Sequence, residues 1–258
     1  MNKLLLALDT ATEVTTVGLA WLSDEGVTMF AGSVVDAPRA AMSRVLPTTS
    51  SLLSAHGLSI RDVDEVIVGH GPGSFTGVRI GVATAKGLAH GLGMPLYAVG
   101  TLDAVAWGFS ADTALLGVVG DAMRGEVYPA LFRCGRGHVA RITPDRVAKP
   151  AQVAEEWARL REPLVLVGNG LRKHGAVLTD ALGSMATVAD EERWPPYARG
   201  LFGAYAAALM AGELGTGDPG AVLPVYTRLS DAEENEALRA GHAGGTPPAS
   251  GVAGGELR

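Results

Sequence analysis

The sequence predicts an α/β protein of two related lobes, and three observations point that way. Short apolar runs end in a carboxylate at Asp9 and again at Asp121, and each is followed by a polar turn and a returning apolar run. The stretch Val66-Ile67-Val68-Gly69-His70-Gly71 comes back as Val165-Leu166-Val167-Gly168-Asn169-Gly170. Strands interleaved with helical patterns indicate layers of sheet and helix. At 258 residues, 47% of them apolar, the chain is long and greasy enough for a sizeable core.

Leu4 to Leu8 reads as a buried strand, Asp9-Thr10-Ala11-Thr12 as a turn, and Thr15 to Trp21 as the returning strand. Met42, Val45, Leu46, Thr49, Leu52 and Leu53 recur at spacings of three and four, which predicts a helix with one buried face; Pro47 kinks it or marks its first turn. Val66 to Val68 is a short strand running into a glycine-rich loop, and a helix is expected from about Val78 to Ala89. In the second half, Leu115 to Gly120 leads to Asp121, a turn at Ala122-Met123-Arg124-Gly125, and a return over Glu126 to Phe132. A helix near Ala151 to Leu160, a strand at Val165 to Val167, an Ala-rich helix over Tyr197 to Ala211 and an extended segment or strand at Val222 to Tyr226 complete the reading. The two halves are expected to face each other across a cleft. The glycine-rich tail from Gly241 to Arg258 has little to bury and reads as disordered.

Composition narrows the function. With 21 basic and 27 acidic residues the net charge is −6, opposite to the basic faces of nucleic-acid binders, so any RNA role is indirect or confined to a patch. A single cysteine, Cys134, fits a reducing cytosol. The apolar run after Lys3 is shorter than the roughly 7 to 15 residues of a signal-peptide core, and Gly200 to Gly212 is shorter than the roughly 18 of a membrane span. A cytoplasmic protein with no membrane association is expected.

Asp9, at the end of the first strand, is where a nucleotide-phosphate enzyme of this architecture holds its metal, or else Asp9 and Thr10 simply make turn hydrogen bonds. No Lys or Arg lies between Leu4 and Pro38, which leaves a triphosphate without a cation there. The loop Gly71-x-Gly73-x-x-x-Gly77 matches neither the dinucleotide fingerprint nor the P-loop, and Ser74 is not in a nucleophile elbow. Gly77, Gly81 and Ala85 form a flat stripe that serves either the chain's own sheet or another subunit. The histidines include no pair three to five apart, so no helical two-histidine metal site is predicted. Cys134 is either an activated thiol beside Arg133 and Arg136 or inert. Arg133, Arg136, Arg141, Arg146 and Lys149 against Asp145 form one small basic patch, a solvated face or an RNA contact.

Four motifs give the chain a resemblance. Leu6-Ala7-Leu8-Asp9-Thr10-Ala11-Thr12, Gly71-Pro72-Gly73-Ser74-Phe75-Thr76-Gly77-Val78-Arg79-Ile80-Gly81 with Ala85-Lys86-Gly87-Leu88-Ala89, Asp121-Ala122-Met123-Arg124-Gly125-Glu126-Val127-Tyr128 and Pro224-Val225-Tyr226-Thr227-Arg228 together resemble the TsaB (YeaZ) family. Its members are the dimerisation subunit of the bacterial machinery that places threonylcarbamoyl on adenosine 37 of tRNA. The resemblance implies an actin-like ATPase (RNase H-like) fold whose lobes have mixed sheets flanked by helices. The lobes are expected over residues 1–103, with 197–228 packing back on the first, and over 104–196.

The resemblance further implies a non-catalytic scaffold that dimerises with TsaD and works with TsaE, with tRNA reached only through the complex; whether the chain forms a homodimer when alone is left open by the sequence. No cofactor is expected for the chain itself, ATP and magnesium being used by partner subunits. The implied pairing face comprises Met42, Val45, Leu46, Thr49 and Leu53 on the first helix and Gly77, Val78, Gly81, Val82 and Ala85 on the second. Asp9, Thr10, Asp121 and Arg124 are expected to mark a vestigial nucleotide cleft. Two departures stand out: Ala40-Ala41 occupies the place of an early helical His in many relatives, and Tyr226-Thr227-Arg228 replaces Tyr-Leu-Arg. The alternative is an active magnesium-dependent ATPase or phosphotransferase using Asp9 and Asp121; a metallopeptidase lacks the histidine spacing it needs.

Overall fold

β1 (Lys3–Asp9) is apolar on both faces because helices cover both sides of its sheet. Leu4, Leu6 and Leu8 belong to the core with residues of α1 (Ala41–Ala55) and α2 (Phe75–Leu92), whereas Leu5 and Ala7 meet α6 (Ala198–Ala211). The computed structural model describes residues 2–36 and 40–227. The tail expected over Gly241 to Arg258 lies outside them.

Around β1 a five-stranded sheet is ordered β3-β2-β1-β4-β5, with β2 (Val14–Ser23), β3 (Gly26–Asp36), β4 (Glu65–Gly69) and β5 (Leu96–Val99). β1 pairs antiparallel with β2 and parallel with β4. After α3 (Thr101–Trp107) the plan repeats in a second sheet ordered β10-β9-β6-β7-β8, built from β6 (Ala114–Asp121), β7 (Val127–Gly135), β8 (His138–Arg141), β9 (Leu164–Val167) and β10 (Ala186–Val188). Here β6 pairs antiparallel with β7 and parallel with β9. With α4 (Pro150–Ala158) and α5 (Leu171–Leu182), the order of three strands, helix, strand, helix, strand, helix occurs twice along the chain. The doubling legible in the sequence is thus a doubling of topology, and the fold is the expected α/β fold of two mixed sheets flanked by helices. Asp9 and Asp121 end equivalent strands.

The two connecting helices tie the lobes together. Leu102, Val105 and Ala106 of α3 lie in the core of the second sheet, while Ala198, Leu201, Phe202 and Tyr205 of α6 cover the first. The helices meet so closely that a Cβ on Gly200 would stand 1.9 Å from the Ala104 carbonyl oxygen. Among the described residues no helix is long and apolar enough to cross a membrane.

Local differences from the sequence reading have plain causes. α2 starts at Phe75, not Val78, because Ser74 caps it, accepting the Gly77 N–H at 3.3 Å. Pro47 falls inside α1. Val222 to Tyr226 forms no strand; it is anchored instead by the Val225 N–H donating to the His70 carbonyl at 2.9 Å.

Candidate functional site

The side chain of Asp9 turns into the protein. It is fully buried, with Oδ1 accepting the Ala11 N–H at 2.7 Å and Oδ2 accepting the Thr101 hydroxyl at 2.7 Å. Only glycine fits at position 69, since a Cβ there would lie 1.8 Å from Asp9 Oδ2. Burial pushes the Asp9 carboxyl up to about 6, with the two hydrogen bonds opposing the shift. Thr10 is also buried, its hydroxyl donating to the Gly77 carbonyl at 2.7 Å. The turn-bond alternative therefore describes this corner, and neither Asp9 nor Thr10 lines the cleft between the lobes.

That cleft has a volume of about 230 Å³. Leu102, Val105, Val118 and Trp194 form its apolar wall, and Glu13, Ser74, Asp121 and Asn169 are among its polar groups. Asp121 is held by its own surroundings: Oδ1 accepts the Met123 N–H at 2.9 Å and Oδ2 the Lys173 ammonium at 2.5 Å. Arg124 sits exposed on the β6–β7 turn, in a left-handed conformation with φ 49°, and is not part of the lining. Of the four expected cleft residues only Asp121 lines the cleft.

Sequence reasoning missed Glu13, Asn169 and Thr101. Glu13 Oε2 accepts from Asn169 Nδ2 at 2.7 Å and Oε1 from Arg172 at 2.6 Å. The one available signal was positional, since Asn169 occupies in the second lobe the place of His70 in the first.

A magnesium nucleotide held by Asp9 and Asp121, as the alternative reading has it, does not fit these residues. The carboxylate at the end of β1 has both oxygens committed inside the protein, and the cleft lining holds acidic side chains and no lysine or arginine. Among the described residues no group of three or more His, Cys, Asp or Glu side chains is placed to hold a metal ion.

The outer helices correct the expected pairing face. Val45, Thr49 and Leu53 of α1 and Val78, Val82 and Ala85 of α2 are buried in the core of the first lobe. Gly77 and Gly81 lie against the β1 turn: a Cβ on either would stand 2.1 Å from Thr10 O or 2.6 Å from Thr10 Oγ1. Of the two readings of the small-residue stripe, the structure bears out packing on the chain's own sheet, because the apolar periodicity of an amphipathic helix marks the face turned inward. Large apolar side chains left exposed are Met42, 74% exposed, and Leu46, 49% exposed, on α1, with Phe75 and Leu92 on α2. The Arg79 guanidinium lies 3.7 Å from the centre of the Phe75 ring and donates to the Tyr226 hydroxyl at 2.7 Å.

Four of the five basic side chains of the patch are ion-paired. Arg133 binds Glu162, Arg141 binds Asp103 and Asp145, Arg146 binds Glu156, and Lys149 binds Glu126. Cys134 is buried and its thiol is pushed up to about 11 by burial, which identifies the inert alternative.

Comparison with known proteins agrees with this geometry. The family described as "TsaD: tRNA N6-adenosine threonylcarbamoyltransferase" matches residues 35–166. The tRNA threonylcarbamoyladenosine biosynthesis protein TsaB of Bacillus subtilis is 30% identical over 89% of this chain and 96% of its own. The Escherichia coli protein of the same name is 36% identical over 74% of this chain and 84% of its own. Among solved structures, YeaZ from Pseudomonas aeruginosa superposes with a TM-score of 0.71 at 30% identity, covering 87% of this chain and 99% of that one. A repeated lobe, a carboxylate sealed beneath its glycine loop and relatives of this identity along nearly their whole length lead to one conclusion: the chain belongs to the TsaB (YeaZ) family.

Proposed function

We propose that the chain acts in tRNA threonylcarbamoyladenosine biosynthesis as a non-catalytic subunit, pairing with a TsaD-like partner through the outer faces of α1 and α2. The observation that carries this reading is Asp9. An acid buried with both oxygens bonded to Ala11 and Thr101 cannot take a metal without dismantling the corner that joins β1, α2 and α3. A molecule with a nucleotide-handling topology and no free carboxylate at its first strand is suited to docking. The proposed contact lies on Met42 and Leu46, exposed apolar side chains of the kind buried at stable interfaces, and takes in the bare backbone at Gly87 of α2. ATP and magnesium serve the partner subunits in this scheme, a TsaE-like ATPase joins the assembly, and tRNA is met through the complex.

The test is co-purification of the full chain with its TsaD-like partner. Met42→Glu with Leu46→Glu abolishes co-elution while leaving the melting temperature of the isolated chain unchanged; persistent co-elution of the folded double variant overturns the pairing face. The non-catalytic part falls if scrupulously purified chain turns over magnesium-ATP and Asp9→Asn abolishes that turnover.

A further inference from the structure

A side chain that lines the cleft reaches across it. Glu13 projects from the turn between β1 and β2, and both of its oxygens are bound by the other lobe: Oε2 by Asn169 Nδ2 at 2.7 Å and Oε1 by Arg172 Nη1 at 2.6 Å. These partners stand at the start of α5, and they are themselves fixed. Asn169 Oδ1 accepts the Asp121 N–H at 2.9 Å, Asp121 holds Lys173, and Arg172 also binds Glu191. The amide orientation at Asn169 follows from this, since its oxygen is committed to a backbone donor and its NH2 to a carboxylate. Behind Glu13, the apolar wall of Leu102, Val105, Val118 and Trp194 would gain solvent if the lobes parted.

We propose that Glu13 is a built-in crosspiece: its carboxylate bridges the lobes across the cleft and holds them in one relative orientation. Three features support this. The bridge is two-pronged, with each oxygen taking its own donor. One donor is a guanidinium, which strengthens the hydrogen bond. The bridge also lies at the β1–β2 turn, where no covalent connection joins the lobes, because the chain crosses between them through α3 and again just before α6. Glu13 is a positioning residue here, and the role is independent of whether a partner docks on α1 and α2.

The experiment measures the distance between the lobes in the isolated full-length chain by pulsed electron paramagnetic resonance. Nitroxides are placed on Arg61→Cys and Ala176→Cys, exposed sites on opposite lobes, while buried Cys134 stays unlabelled. The parent shows one narrow distance. Glu13→Ala broadens the distribution and adds a longer component, and so does Asn169→Asp, which sets carboxylate against carboxylate. Glu13→Gln, isosteric and so compatible with folding, gives a smaller broadening because it loses the charge facing Arg172. If these variants melt cooperatively and keep the parent's narrow distance, the crosspiece role is overturned. A loss of partner pairing in a separate assay leaves this result untouched, so the two readings fail separately.

Discussion

The hydroxyl of Thr101 donates to Asp9 Oδ2 at 2.7 Å, and Thr101 Oγ1 in turn accepts the Gly71 N–H at 3.1 Å. Three segments far apart in sequence, the end of β1, the loop after β4 and the first turn of α3, thereby share one buried hydroxyl. The arrangement gives both carboxylate oxygens of Asp9 a donor while keeping the acid in a dry environment, and the energetic cost is visible in its raised pKa.

That cost sets a pH dependence. The carboxyl moves from 3.8 to about 6 in the folded protein, so the native state binds more protons than the unfolded chain across this window. Stability from this group is complete below about pH 4 and is lost as pH rises through about 6, an effect on the order of 3 kcal/mol. Asp9→Asn, which stays neutral, removes this decline: the drop in melting temperature between pH 4 and pH 7 is smaller in the variant than in the parent.

Two glycines of the same helix are expected to behave oppositely. Gly77→Ala forces a methyl to within 2.1 Å of the Thr10 carbonyl and separates α2 from β1, destabilising by about 3 kcal/mol or more. Gly87 meets nothing within 4 Å, so Gly87→Ala gains helix propensity worth about 1 kcal/mol. On the proposed pairing face, the same methyl weakens binding to the partner. Denaturant titration of both variants, with co-elution for Gly87→Ala, checks the pair.

Tyr205 fastens α6 to the first sheet. Its hydroxyl donates to Glu65 Oε2 at 2.6 Å, and the other oxygen of that buried carboxylate is held by Lys3 at 2.5 Å. Tyr205→Phe removes one hydrogen bond to a charged, buried group and costs about 2 kcal/mol, read as a lower urea midpoint with an unchanged slope.

Cys134 packs beside the Ala106 carbonyl in the second core, with its thiol raised to about 11. Native protein therefore resists alkylation by iodoacetamide at pH 8, and full modification appears once denaturant unfolds the chain. Fast labelling of the native state contradicts the burial.

How far the sequence could be read depended on the range of the signal. Both strand-and-carboxylate hairpins and the helices at α1, α2, α4 and α6 were legible, because apolar periodicity and turn chemistry act within a few residues. β3 was not read, being half-exposed at a sheet edge, and β8 and β10 are too short to set a period. The buried members of the expected pairing face were misread for a related reason. The periodic residues Val45, Thr49, Val78 and Val82 announce that a face is buried but not by what, and the burying surface is the chain's own sheet.

The sequence by itself determined the doubled α/β plan, the helices and the family resemblance, since these rest on local patterns and on motifs that survive as strings. Only the tertiary structure decided that Asp9 is sealed by Thr101 and Gly69, that Glu13 reaches Asn169 and Arg172, and that Met42 and Leu46 rather than Val45 and Val78 remain uncovered. Each of these facts depends on contacts between residues far apart along the chain, whose distances and solvent access exist only after the lobes have packed.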